Sequence, residues 1–278
     1  MNKHPKARTR SFYWPLLGAL LLAASLGCAD LPLARSDPAT AAEPEQSLAA
    51  PDDFIQEILS SVSQERIVSD LKALSGETPL CIGSACSTVQ NRLTGSPGLG
   101  RAKDYVVQEL SSLGYSVTRQ DWSMEGFSDQ NILARKTGTR YPNELIYLVA
   151  HLDGVKTTAE ERFPSADDDG SGVVDLLELG RALSPYSFER TLVLFFSTGE
   201  EQGVLGVRSH VNALSASELS AIKYVVTIDM VGYDLNDDGA MQLWSGDHAP
   251  SLTFAQQLSD LIQAYPLDLT PQVVSGCT

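Results

Sequence analysis

Three short runs of the chain are almost wholly apolar: Leu145 to Ala150, Thr191 to Phe196 and Tyr224 to Ile228. Runs of that length without polar alternation suit strands buried on both faces. Helix-patterned stretches fall between them, at Gly172 to Leu183 and Val204 to Leu214. Strands alternating with helices argue for an α/β fold, a three-layer sandwich with a mixed, mostly parallel central sheet and helices on both faces. In such sheets the crevice lies beyond the carboxyl ends of the strands. Each of the three runs leads directly into residues that can carry chemistry at that edge.

The first run ends in His151-Leu152-Asp153. Extended backbone puts His151 and Asp153 on one side, so His151 can ligate a metal while Asp153 orients its imidazole. Asp167-Asp168-Asp169-Gly170-Ser171-Gly172 stands just before a helix. Three consecutive carboxylates repel one another unless a cation or a helix N-terminus collects them. The second run continues into Gly199-Glu200-Glu201-Gln202-Gly203. There one glutamate can bind an ion and the other can take a proton from its water. Asp229 finishes the third run, where a carboxylate is costly unless it is paired or metal-bound. None of these pieces is specific alone. Together they describe a hydrolytic divalent-metal site built from one histidine and several carboxylates, rather than a Cys-rich structural one.

The rest of the chain frames this region. Four cations (Lys3, Lys6, Arg8, Arg10) precede an apolar stretch from Trp14 to Leu26, the layout of an export signal that is too short for a membrane span. Cleavage admits two routes, ordinary signal processing near Gly27 or lipid attachment at Cys28, with Ser25 where a lipobox usually has leucine. Residues 1–28 are therefore expected to be a leader and 29–51, rich in Ala and Pro, a tether. The expected location is secreted or periplasmic, with a lipid anchor as the variant. Net charge is −15, and removing residues 1–27 takes away four positive charges and no negative ones, leaving −19. A nucleic-acid partner is excluded on that balance. Export makes Cys81 and Cys86, five positions apart, candidates for a local disulfide, with Cys277 left over. A continuous helix is expected from Asp52 to about Leu74 and another from Arg101 to Leu113, closed by Gly114. Strand-like runs occur at Tyr115 to Trp122 and Asn131 to Arg135, a helix at Ser251 to Ala264 and a final strand at Leu267 to Val274. Asp234-Leu235-Asn236-Asp237-Asp238-Gly239 matches the first half of a calcium loop through Asp234, Asn236 and Asp238. Ser245 stands where that loop needs its bidentate glutamate, which favours an acidic turn. His210, in a helical segment, reads as a surface histidine.

In order, His151-Leu152-Asp153, DDDGSG at 167–172, GEEQGVLG at 199–206 and IDMVGYD at 228–234 resemble the co-catalytic zinc aminopeptidases, the M28 peptidases. The NRLTGSPG loop at 91–98 also matches that family's lead-in, and the resemblance covers roughly residues 55 to 278. It implies two zinc ions: His151 and Asp229 on one, Glu201 on the other, Asp168 bridging both, Glu200 as general base and Asp153 behind His151. It implies peptide substrates with a free N-terminus and a monomer with no transmembrane span beyond the leader. The family pattern carries one more zinc-binding histidine after a helix and a strand, whereas this sequence stops at Ser275-Gly276-Cys277-Thr278. A peptidase domain over 52–278 that is incomplete at its C-terminus is the resulting expectation, with reduced stability. His248 lies before that helix and does not take the missing place. A glutaminyl-cyclase-like transferase and a catalytically inactive homologue are the alternatives.

Overall fold

The computed structural model describes residues 52–156 and 162–276; the leader, the tether, Cys28 and Cys277 lie outside the described residues. The described residues begin with helices α1 (Asp53–Ser61) and α2 (Gln64–Leu74), the hairpin β1 (Leu80–Ile82) and β2 (Ala85–Ser87), and α3 (Pro97–Ser112). Next come β3 (Ser116–Met124), β4 (Phe127–Lys136), β5 (Tyr141–His151), α4 (Gly170–Leu183) and β6 (Arg190–Ser197). The remainder is α5 (Leu205–Ala213), α6 (Ala216–Ala221), β7 (Ile222–Thr227), β8 (Ala240–Ser245), α7 (Ala249–Ala264) and β9 (Thr270–Ser275). Among the described residues no helix is long and apolar enough to cross a membrane.

The central sheet is mixed, in the order β3-β4-β6-β5-β7. Strand β5 pairs in parallel with β6 and β7, while β4 runs antiparallel to both β3 and β6. Side chains alternate across it. Ile132, Ala134, Ala150, Leu194 and Phe196 join a large core with Leu99, Val106 and Leu110 of α3 and Val173, Leu176 and Leu177 of α4. Leu133, Tyr147, Val149, Val193 and Phe195 point to the other face, where Val207 of α5 packs. Gly180 lets α3, α4 and the sheet close on one another: a Cβ there would stand 2.8 Å from Leu110 Cδ2 and 2.9 Å from Leu194 Cδ1.

The expected single helix over 52–74 is instead two. Val62 and Ser63 are extended, and the Ser63 side chain caps α2 by accepting from Arg66 N. Tertiary charge holds the break open, since Ser63 N donates to Glu178 Oε1 at 2.7 Å. Glu178, buried on α4, also pairs with Arg66, while Arg181 reaches Asp70 at 2.7 Å and Glu109 at 2.8 Å. These pairs tie α2 and α3 to α4. The third helix starts at Pro97 rather than Arg101, because Ser96 accepts from Leu99 N and proline suits the first turn.

Strand β9 does not extend the central sheet. It pairs in parallel with β8, and α7 packs against the pair around Leu243, Ile262 and Tyr265. Alternating polarity over Ala240-Met241-Gln242-Leu243 hid β8 from a search for apolar runs. Cys81 and Cys86 form the expected disulfide across β1 and β2. Arg101 also holds this hairpin, donating to Leu80 O and Ala85 O.

Asp175 on α4 keeps some exposure, yet the packing around it, and then the charge of Glu178, push its carboxyl up to about 7. A carboxyl whose folded pKa is raised costs nothing below its unfolded value and destabilises increasingly as pH rises through the folded one. Asp175→Asn is therefore expected to match the parent in thermal unfolding at pH 4 and to melt at a higher temperature at pH 8.

Candidate metal centre

Parallel pairing brings three strand ends to one edge. His151, the last residue of β5, stands opposite Ser197, the last of β6, and Ile228 N beyond β7 donates to Val149 O at 2.7 Å. The residues that follow each strand therefore meet. Asp169 locks the arrangement. It caps α4 by accepting from Gly172 N at 3.0 Å, and it also accepts from His151 N at 3.0 Å and Met230 N at 3.3 Å. One carboxylate thus joins the end of β5, the start of α4 and the segment after β7. It is wholly buried, and burial, then the neighbouring Asp229, hold its carboxyl well above the usual range against the pull of His151. Asp169 was not among the residues singled out from the sequence. Its signal was the N-cap position in Asp-Gly-Ser-Gly.

His151 lies at the centre, 3% exposed. Its Nε2 is 3.0 Å from Asp168 Oδ1 and 4.0 Å from Asp229 Oδ1, and its Nδ1 is 3.7 Å from Asp153 Oδ1. Two donors on a tetrahedral zinc stand roughly 3.4 Å apart, so these spacings suit a shared ion. Burial opposes a charge on the ring, but Asp153, Asp168 and Asp169 more than offset it and carry its pKa up to about 11. The cluster demands positive charge. His151, Asp169 and Asp229 can bring ligand atoms within 4.8 Å of one another. Three amides already occupy the Asp169 oxygens, whereas the Asp168 side chain is 43% exposed and more open to a metal.

Glu200 and Glu201 sit on a tight turn after β6. Gly199 makes it possible, with φ of 73° and a Cβ position that Trp122 would occlude at 2.6 Å. Asp153 holds this turn, accepting from Glu200 N at 3.2 Å and Glu201 N at 3.3 Å. Holding this turn is a place for Asp153 that its position behind His151 in the sequence did not suggest. Burial, then the charges of Asp153 and Asp168, raise the Glu200 carboxyl; burial, then Asp168, raise Glu201 to about 7. Glu201 Oε1 and His151 Nδ1 are buried without a hydrogen-bond partner. The nitrogen faces Asp153, but an orphaned carboxylate oxygen beside an imidazole and several acidic groups fits a divalent cation. An open apolar cleft lies beside Glu200, His151 and Asp229, walled by Val149, Phe195, Val204, Val207 and Ile222.

Other sequence candidates lie elsewhere. Asp234 accepts from Asp238 N and Gly239 N, Asp238 accepts from Ala240 N, and Asn236 donates to Asp238, so this loop turns its oxygens toward its own donors. His248 is exposed at the N-cap of α7. The expectation that His210 is a surface histidine is wrong: it is buried on α5, bonded to Gln120 at 2.9 Å and Tyr147 at 3.2 Å. Helical periodicity turned its ring inward onto Phe195. The two aspartates should separate in urea unfolding. Asp169→Ala leaves buried amides unpaired, each costing about 1–3 kcal/mol, whereas Asp168→Ala at a half-exposed position should cost under about 1 kcal/mol.

The model of peptidase family M28 matches residues 131–272, just over half of the chain. A probable leucine aminopeptidase 2 of Aspergillus oryzae is 32% identical over 127 residues, covering 46% of this chain and 24% of that protein. The chain spans only about a quarter to a third of the length of the first such relatives. Among solved structures, a zinc aminopeptidase from Bacillus subtilis superposes with a TM-score of 0.62 at 12% identity, over 76% of this chain and 79% of that one. A glutaminyl cyclase from Macrostomum lignano does so with 0.61 at 19% identity, over 85% and 76%. At such identities these likenesses speak to the fold, an α/β sandwich around a mixed sheet. The family match runs from β4 to β9 and so takes in every strand end of the cluster, and the chain belongs to peptidase family M28.

Proposed function

We propose that this protein is a zinc-dependent metallo-aminopeptidase that removes N-terminal residues from peptides. The observation that carries the reading is the meeting of His151, Asp168, Asp229, Glu201 and Glu200 at one sheet edge, with Glu201 Oε1 left as a buried orphan acceptor. His151 and Asp229 would hold one zinc, Glu201 a second, and Asp168, the carboxylate nearest the imidazole, would bridge them. The relatives named leucine aminopeptidase and zinc metalloprotease support both the metal and the peptide substrate. Residues 1–28 support export of the chain, and no observation calls for a nucleic-acid partner.

Bound zinc would lower the pKa of water towards neutrality and polarise the scissile carbonyl. Glu200 takes the proton from the attacking water as the new C–O bond forms. It then passes that proton to the nitrogen as the C–N bond breaks, so that the free amine leaves and Glu200 returns to its starting state. Its raised pKa suits both halves of this transfer. Asp153 keeps the Glu200 amide fixed during it. The apolar cavity would take the first side chain of the peptide, favouring leucine-like residues over charged ones.

Aminoacyl chromogenic substrates test this directly. A chelator should abolish turnover and added zinc restore it. Glu200→Gln should lower kcat by about 10²–10⁴-fold with zinc content unchanged. Equal turnover in both proteins would remove Glu200 from the role of base. Cyclisation of glutaminyl peptides without hydrolysis would instead favour the transferase, and zinc uptake with neither reaction an inactive homologue. Val207→Trp should narrow the cavity and shift preference from leucyl towards alanyl substrates by at least about tenfold in kcat/KM.

A further inference from the structure

The NRLTG stretch before α3 has no part in the chemistry described above, yet one of its side chains is the largest among those most deeply buried. Arg92 is 1% exposed. Its Nε donates to Leu152 O at 2.9 Å, its Nη1 to Leu74 O at 3.0 Å and to Pro164 O at 3.2 Å, and its Nη2 to Ser165 O at 2.8 Å. Leu152 lies between His151 and Asp153. Ser165 O also accepts from Gly170 N at 3.0 Å, so the turn carrying Asp167, Asp168 and Asp169 closes on that same carbonyl. Gly170 permits the approach, since a Cβ there would stand 2.7 Å from Ser165 O and 3.4 Å from Arg92 Nη2. The backbone of Arg92 adds a third tie, its carbonyl accepting from Gly154 N at 3.0 Å. A buried guanidinium bonded to carbonyls is an expensive way to fill a core. Only its planar fork can reach three separate segments at once, which a lysine cannot do.

We propose that Arg92 is a positioning residue for the metal centre, setting the distance between the His151–Asp153 segment and the Asp168 turn through the carbonyls of Leu152 and Ser165. The proposal rests on the zinc reading above. The side chain reaches no metal, and it acts by fixing two ligand-bearing segments relative to one another. Its positive charge adds to this, because it lies close enough to Asp153, Asp168 and Asp169 for their charges to act on it.

Zinc affinity, measured by competition with a chromophoric chelator, is the test. Arg92→Lys should bind zinc about 10–100-fold more weakly than the parent, the range seen when outer partners of metal ligands are removed. Arg181→Lys, at a partly buried arginine bonded to Asp70 and Glu109, is the control: it should lower the melting temperature and leave zinc affinity unchanged. Parent-like affinity in Arg92→Lys overturns the proposal whatever its stability. A parent protein that binds no zinc overturns the zinc reading, and the proposal with it. Should Arg92→Lys not fold, the parent itself decides. Coupling is reciprocal, so zinc must slow hydrogen exchange of the Arg92 guanidinium, and an unchanged rate overturns the proposal.

Discussion

Asp153 and Asp169 are wholly shut off from water at the edge where β5, β6 and β7 end, with Asp168, Asp229, Glu200 and Glu201 around them. A buried carboxylate costs several kcal/mol unless its lone pairs are occupied and its charge balanced. The local backbone is arranged by that requirement. Asp169 collects amides from three segments and Asp153 collects those of Glu200 and Glu201. Arg92 supplies a buried positive charge nearby. The carboxylates lie around a single imidazole, and against the cost of its burial Asp153, Asp168 and Asp169 together raise the pKa of the His151 ring.

The same arrangement sorts the acidic residues by role. Asp169 and Asp153, whose oxygens accept backbone amides, fix the scaffold, whereas Asp168 and Asp229 face the His151 ring. Proximity in sequence does not separate the two classes. Asp168 and Asp169 are neighbours, but one is half-exposed and the other sealed by the first turn of α4. The two faces of the sheet differ as well. The face covered by α3 and α4 is densely filled, while the face beneath α5 holds a smaller core and the apolar cavity at the metal edge.

Much of the site was legible beforehand because it rests on local rules. Continuous apolar runs mark buried strands, and chain connectivity places the polar residues that follow them at one edge. His151, Glu200, Glu201 and Asp229 follow from that alone, whereas the carboxylate run before a helix offers three aspartates, among which only the resemblance to the M28 peptidases points to Asp168. What escaped depended on distant partners. The break at Val62 and Ser63 depends on Glu178, more than a hundred residues away in sequence. The burial of His210 depends on Tyr147 and Gln120. Strand β8 is stabilised by β9 and α7 rather than by an apolar pattern of its own.

Fold class, three strand ends rich in chemical groups, a candidate disulfide and the family were already legible in chain order, because each rests on patterns within short stretches of residues. That Asp169 is sealed by amides while Asp168 stays half-exposed, that Asp153 holds the glutamate turn, and that Arg92 ties the Leu152 and Ser165 carbonyls together emerged from the three-dimensional packing. Those outcomes follow from which amides and carbonyls come within hydrogen-bond reach of a buried charge, a matter of three-dimensional distance that chain order does not encode.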